Sequence, residues 1–293
     1  MELRTLKYFV YVVDEGSITE ASKVLHITQP TLSRQVAQME IELGTPLFLR
    51  SRNGIALTER GAILNRYARS ILELADKAEE EVAIPHGDIA GTVRIGAGET
   101  RAFSLVAEAC ARVRKRYPGV NFDVHDGTSA DLKESFARGF YDFLLDCNSG
   151  ENLEFNQITL PIGDLLGVVM RTDDPLAELN EVSIEDLAER DLIATPQMAT
   201  QLRHLFAERS IDGPCIAANQ GLPLNSKYLV LAGVGLMFTF DELVNSPNGQ
   251  GDLCFKPLTP HIELRHKILW RKVMPTKPAQ VFIDELHAVC ANK

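Results

Sequence analysis

Residues 17–61 read SITEASKVLHITQPTLSRQVAQMEIELGTPLFLRSRNGIALTERG, and the order of caps, turns and apolar positions in this stretch decides the fold of the N-terminal region. Ser17 followed by Glu20 has capping-box spacing, and Ile18, Ala21, Val24 and Leu25 recur at helical intervals, which predicts a short helix. His26-Ile27-Thr28 interrupts it. Thr28 is expected to cap a second helix, because Pro30 falls in the first turn, where its missing N–H leaves nothing unpaired. Along that helix Leu32, Val36, Met39 and Leu43 share one face, while Gln29, Thr31, Ser33, Arg34 and Gln38 lie mostly off it. Two short helices joined by a tight turn predict a helix-turn-helix, whose second helix enters the major groove N-terminus first. The chemistry fits: Gln can pair bidentately with adenine, Arg with guanine, and Ser and Thr reach bases or phosphates. After Gly44, the segment LFLRSRNGIALT alternates around Asn53-Gly54, a two-residue hairpin signal, and carries Arg50 and Arg52 toward its tip as a wing for the phosphate backbone. The expected DNA contacts are Gln29, Pro30, Thr31, Ser33, Arg34, Arg50 and Arg52.

From Thr58 to Pro85 the pattern is one long helix, stopped by Pro85-His86-Gly87. Leu64, Ala68, Ile71, Ala75, Ala78 and Val82 fall at alternating spacings of four and three, a seam with small residues where a second copy could approach closely. A dimerisation helix is expected.

The chain has 293 residues and is 45% hydrophobic, enough for about two domains with real cores. The net charge of −10 looks wrong for a DNA binder, but residues 1–72 hold nine Lys and Arg against seven Asp and Glu. The acidity lies downstream, with −5 in residues 73–90 and −7 beyond. Screening limits electrostatic reach to roughly 8 Å in physiological salt, so the local field matters more than the total. A weakly basic module implies modest nonspecific binding and dependence on dimeric or higher assembly. No apolar run approaches the roughly 20 residues of a membrane span and the N-terminus reads as a helix, so a cytoplasmic protein without membrane contact is expected. Five scattered cysteines without C-x-x-C spacing indicate neither zinc nor a disulfide framework, and no cofactor is expected.

From Gly91 the pattern alternates: TVRIGAG, a helix from about Arg101 to Tyr117, NFDVHDG, a helix from about Ala130 to Gly139, then DFLLDC. A second series begins near Pro161 with LLGVVM, then DLIATPQ leading into a helix, CIAANQ, a helix around Leu224 to Ala232, and GLMFTF. The chain returns with HIELRHKILWRK and a last helix from Pro278, which is expected to complete the first lobe. Such sheets bind ligands where the carboxyl ends of strands meet helix N-termini. Glu99, Thr100, Thr128, Ser129, Thr195, Gln197 and Asn225 occupy those positions and are the candidate ligand contacts. Hydroxyls and helix N-termini favour an anion, whereas Glu99 favours an amine or a guanidinium, so the ligand class stays open.

Residues 1–66 resemble the N-terminal domain of LysR-type transcriptional regulators. They share Leu6, Phe9, Gly16-Ser17, Ala21, Leu25, Gln29-Pro30, Ser33, Leu43-Gly44, Leu47-Phe48, Arg50, Leu57-Thr58 and Gly61, and the likeness continues over the whole chain. Ala21-Ser22 and Met39-Glu40 stand where the family usually has two alanines and Leu-Glu. The resemblance implies an α/β chain with a winged helix-turn-helix over 1–58, a linker and dimerisation helix over 59–90, and a two-lobed, periplasmic-binding-protein-like type 2 effector domain over 91–293. Lobe 1 would hold about 91–161 and 264–293, and lobe 2 about 162–263. It implies a regulator, not an enzyme, that binds double-stranded promoter DNA as a homodimer or homotetramer, answers to a small-molecule effector and works with RNA polymerase. An enzyme finds no support, since phosphate loop, G-x-S-x-G elbow and metal pair are all missing and the histidines are dispersed. A solute-binding protein would fit the two-lobed half but needs export, and the winged module argues against it.

Overall fold

The three N-terminal helices follow from local signals and a shared apolar seam. In the computed structural model, which describes the chain apart from residues 52–53, 84–88, 148–152 and 244–250 and the side chains at positions 50, 51 and 223, α1 (Leu3–Glu15) buries Leu6, Phe9, Val10 and Val12. Helix α2 (Ile18–Val24) begins on Ser17, whose hydroxyl accepts the Glu20 N–H. Helix α3 (Gln29–Leu43) buries Leu32, Val36 and Met39 and ends on Gly44, whose φ of +68° is the left-handed conformation that closes a helix without a side-chain clash. Strands β1 (Phe48–Ser51) and β2 (Gly54–Leu57) pair antiparallel from Phe48 with Leu57 to Ser51 with Gly54. Gly54 is thus a paired strand residue, one position away from the turn role that Asn53-Gly54 suggests. The inward packing of Phe48, Ile55 and Leu57 sets the register, because a one-residue slip would turn them outward.

Helix α4 (Glu59–Val82) starts on Thr58, whose hydroxyl accepts the Gly61 N–H at 2.9 Å and donates to the Pro46 carbonyl at 2.8 Å. Gly61 is required by close approach, since a Cβ there would lie 2.1 Å from the Leu47 carbonyl oxygen. The expected seam is corrected in part. Leu64 and Ala68, together with Leu72, pack against Leu6, Phe9, Val10, Met39 and Leu47 inside this unit's own core. The large apolar side chains left exposed on α4 are Ile63, Tyr67, Ile71 and Val82. The expected stop at Pro85-His86-Gly87 lies outside the described residues. The chain divides into two compact units, Met1–Pro85 and His86–Lys293, so α4 belongs with the helix-turn-helix.

In the second unit β3 (Gly91–Ala97), α5 (Phe103–Arg116), β4 (Val120–Asp126), α6 (Ser129–Ala137) and β5 (Phe143–Asp146) alternate. Strand β6 (Phe155–Arg171) then runs for 17 residues through both lobes. Lobe 2 follows with β7 (Asp191–Ala194), α7 (Pro196–Glu208), β8 (Cys215–Asn219), α8 (Pro223–Leu231), β9 (Leu236–Phe240) and β10 (Leu253–Pro257). The chain returns through β11 (Glu263–Arg271) and α9 (Lys277–Cys290). The order in lobe 1 is β4-β3-β5-β11-β6, and in lobe 2 β6-β9-β7-β8 with β10 on the other side of β6. A sequence reading that begins lobe 2 at 162 cuts inside β6, which pairs with β11 as far as Leu165 and with β9 from Leu166.

Each lobe is a sheet covered on both faces. In lobe 1, α5 and α9 bury Leu105, Val113, Phe282 and Leu286 against Val93, Ile95 and Phe143, while α6 lays Leu132 and Phe136 on Leu144 and Leu269. In lobe 2, α7 buries Leu202 and Phe206 against Val168, Leu192 and Phe238, and α8 sets Val230 on Val169, Ile193 and Met237. Pro161 within β6 is accommodated by an irregularity: Leu160, Pro161 and Ile162 oppose the single residue His266, so the missing N–H falls where the ladder is already interrupted. Among the described residues no helix is long and apolar enough to cross a membrane.

Candidate nucleic-acid interface and ligand cleft

With Leu32, Val36 and Met39 turned inward, α3 leaves Gln29, Pro30, Thr31 and Arg34 exposed and Ser33 half-buried. His26, in the left-handed region at φ +53°, makes the turn between α2 and α3. Thr28 stands at the N-cap of α3 but its side chain does not cap. Its hydroxyl instead meets that of the groove candidate Thr31 at 2.8 Å. Arg50 lies on β1 with its side chain not described, and Arg52 lies outside the described residues. Glu40 is a functional support that the motif reading did not use. Its carboxylate accepts the N–H groups of Leu47 at 2.7 Å and Phe48 at 3.2 Å, tying the start of the wing to α3.

In the second unit a cavity of about 450 Å³ opens between the carboxyl ends of the strands of the two lobes. Of the seven candidate ligand residues, five line it: Glu99, Thr128, Ser129, Thr195 and Gln197. Thr100 and Asn225 do not. Thr100 is buried, and its hydroxyl accepts the Ala102 N–H at 3.0 Å at the start of α5. Asn225 is exposed on α8, and the wall there is made by Gln220, Gly221 and Leu222 just before that helix. Thr128 and Thr195 cap their helices, accepting from Asp131 N–H at 3.3 Å and Met198 N–H at 3.2 Å. The sequence reading missed Lys133, Asp146, Gln220 and Thr239, and the apolar wall of Leu132, Leu145, Met198, Leu222 and Phe238. Asp146 could have been found as the last residue of a strand that ends at the cleft.

The electrostatics of the cleft are set by burial. The Glu99 carboxyl is pushed above its ordinary range, first by burial and then by repulsion from Asp126. Lys133 pairs with the buried Asp146 at 3.2 Å. The Cys147 thiol is pushed up chiefly by burial, further by Asp164 and Asp146, with Lys133 opposing, an environment that disfavours the thiolate. Burial pushes the Cys110 thiol up to about 12. Among the described residues no group of His, Cys, Asp and Glu could hold a metal ion.

Where β6 and the return to β11 cross between lobes, Arg101 joins both. Its Nε donates to the Gly163 carbonyl at 2.7 Å and lies 3.3 Å from Asp164 Oδ1. Its Nη1 reaches Asp241 at 2.9 Å and Glu242 at 3.4 Å at the end of β9. Asp164 and His266, both 0% exposed, share a 2.8 Å hydrogen bond. Asp241 accepts the Leu165 N–H at 2.8 Å, and its carboxyl is pushed up by burial against the opposing pull of that bond and of Arg101. The lobes are thus coupled by one guanidinium at the crossing, where a change of lobe angle must rearrange buried charges.

Comparison with known proteins gives two family matches: residues 86–291 fit the LysR substrate binding domain, and residues 3–62 the bacterial regulatory helix-turn-helix protein, lysR family. The chain is 31% identical over 281 residues to the HTH-type transcriptional regulator ShiR of Corynebacterium glutamicum, covering 93% of each. It is 41% identical over 135 residues to the nitrogen assimilation regulatory protein nac of Escherichia coli, 46% of this chain and 44% of that one. Several curated relatives are matched over less than two thirds of their own length. Among solved structures, full-length CbnR complexed with its target DNA has a TM-score of 0.76 at 20% identity, over 99% of this chain and 100% of that chain, a likeness of fold.

Proposed function

The chain belongs to the LysR family of transcriptional regulators, and from that premise we propose that it binds promoter DNA through α3 and the wing and is controlled by a small molecule in the cleft of its second unit. The observation that carries this reading is the pairing of an outward α3 face of Gln29, Thr31 and Arg34 with a ligand-sized cavity in one chain. Gln29 and Arg34 supply base-edge contacts, while Ser33, Arg50 and Arg52 serve phosphates and fix register. The exposed Ile63, Tyr67 and Ile71 of α4 form the surface on which two copies associate, as a dimer or a dimer of dimers, so the operator is an inverted repeat. Effector binding shifts the population between lobe arrangements and with it the DNA complex and its engagement of RNA polymerase.

The experiment is capture of fragmented genomic DNA on the full chain, with sequencing of retained pieces. Enriched inverted repeats beside promoters are the expected result. Uniform, salt-sensitive retention without a motif would reduce the reading to nonspecific binding.

A further inference from the structure

Taking the cleft as the effector site, we infer that the effector is a small organic cation: an apolar body carrying a protonated amine that the Glu99 carboxylate receives. The charged residues of the described cavity wall are Glu99, Lys133 and Asp146. Lys133 is already held by Asp146, so among the described residues Glu99 is left without an ion-pair or hydrogen-bond partner. Residues 148–152 and 244–250 contain no Lys or Arg, so the sequence offers no ion-pair partner there. The lobe 2 wall is uncharged among the described residues, with Thr195, Gln197, Gln220 and Thr239 as its main polar members. Gln220 Oε1 is buried without a hydrogen-bond partner among the described residues, a second acceptor that calls for a donor.

Of the two helix N-termini at the cleft, that of α7 has no acidic residue in its first turn, while that of α6 is taken. Asp131 stands in the first turn of α6 and accepts the Thr128 hydroxyl at 2.6 Å, so that helix N-terminus already faces a carboxylate of its own. A carboxylate ligand would meet Glu99, with Asp126 behind it, and among the described lining residues no unengaged cation. An ammonium would offset both the burial and, secondarily, the Asp126 repulsion that raise the Glu99 carboxyl. The apolar wall of Leu132, Leu145, Met198, Leu222 and Phe238 takes the body of the ligand.

The test uses the full chain and probe pairs that share a skeleton and differ in charge: phenethylamine against 3-phenylpropionate, and hexylamine against heptanoate. Calorimetric titration and thermal melts are expected to show each amine binding at least about tenfold more tightly than its carboxylate, the size of one charge-assisted hydrogen bond. Glu99→Gln should erase that preference without lowering the unliganded melting temperature, since it removes a carboxylate that burial and Asp126 both disfavour. Asp126→Asn, a milder change, should lessen the preference. Tighter binding of the carboxylates, strengthened by Glu99→Gln, would overturn the amine assignment and leave the cleft standing as an effector site. No response to either series would overturn the assignment and count against the cleft itself. Amine binding through Glu99 that leaves retention of operator DNA unchanged would uphold the assignment and defeat control of DNA binding.

Discussion

The DNA-facing unit and the ligand-binding unit are built on opposite principles. In the first, the candidate contacts Gln29, Thr31, Ser33 and Arg34 sit on consecutive turns of one helix, and their exposure follows from the burial of Leu32 and Val36 beside them. In the second, Glu99, Ser129, Asp146, Thr195, Gln220 and Thr239 come from the ends of different strands and the starts of different helices, brought together by two lobes. A surface made by one helix tolerates changes of lobe geometry. A cleft made by many segments is only as well defined as the crossing that holds the lobes together.

That contrast can be broken at three points. Arg101→Ala should have the largest effect, because it leaves the buried Asp164 and Asp241 without their shared cation. A loss of about 3 kcal/mol is expected, at the low end of the range for broken buried pairs because Arg101 keeps some solvent contact. Denaturant melts followed by Trp270 fluorescence, the single tryptophan of the chain and a residue of lobe 1, should report it. If stability is unchanged, Arg101 does not couple the lobes. Gly61→Ala should cost the first unit about 2–3 kcal/mol, since the added carbon must push α4 away from Leu47. It should weaken DNA binding while ligand binding in the second unit persists, and equal loss of both would show that the units do not fold separately. Arg34→Ala should cost roughly 1–3 kcal/mol of operator affinity without altering stability and relax preference at one base, whereas Arg52→Ala should weaken all sequences alike. Fluorescence anisotropy with single-base operator variants separates the two, and an Arg34→Ala protein with unchanged preference would remove α3 from the groove.

The same contrast explains what could be read early. The helix caps at Ser17 and Thr58, the closing Gly44 and the paired wing strands are set within a few residues, so spacing alone located them, whereas the cap expected at Thr28 is not made because its hydroxyl turns to Thr31. Thr100 and Asn225 were misplaced because the rule that ligands gather at strand ends says where a loop is but not where its side chains turn. Thr100 satisfies its own helix start, and α8 carries Asn225 away from the wall. The α4 seam was misread in part because Leu64 and Ala68 have the same periodicity whether they face a partner or α1.

The sequence by itself determined the helix-turn-helix and its outward face and the two α/β series, though not strand β10, because hydrophobic periodicity, caps and turns act over ranges shorter than one element. Only the tertiary structure decided that β6 serves both lobes, that Arg101 bridges them beside the Asp164–His266 bond, and that Lys133 is occupied by Asp146 while Glu99 has no ion-pair partner among the described residues. Those facts depend on which distant segments are desolvated together, and pairing in a desolvated site is set by three-dimensional neighbours that no local pattern encodes.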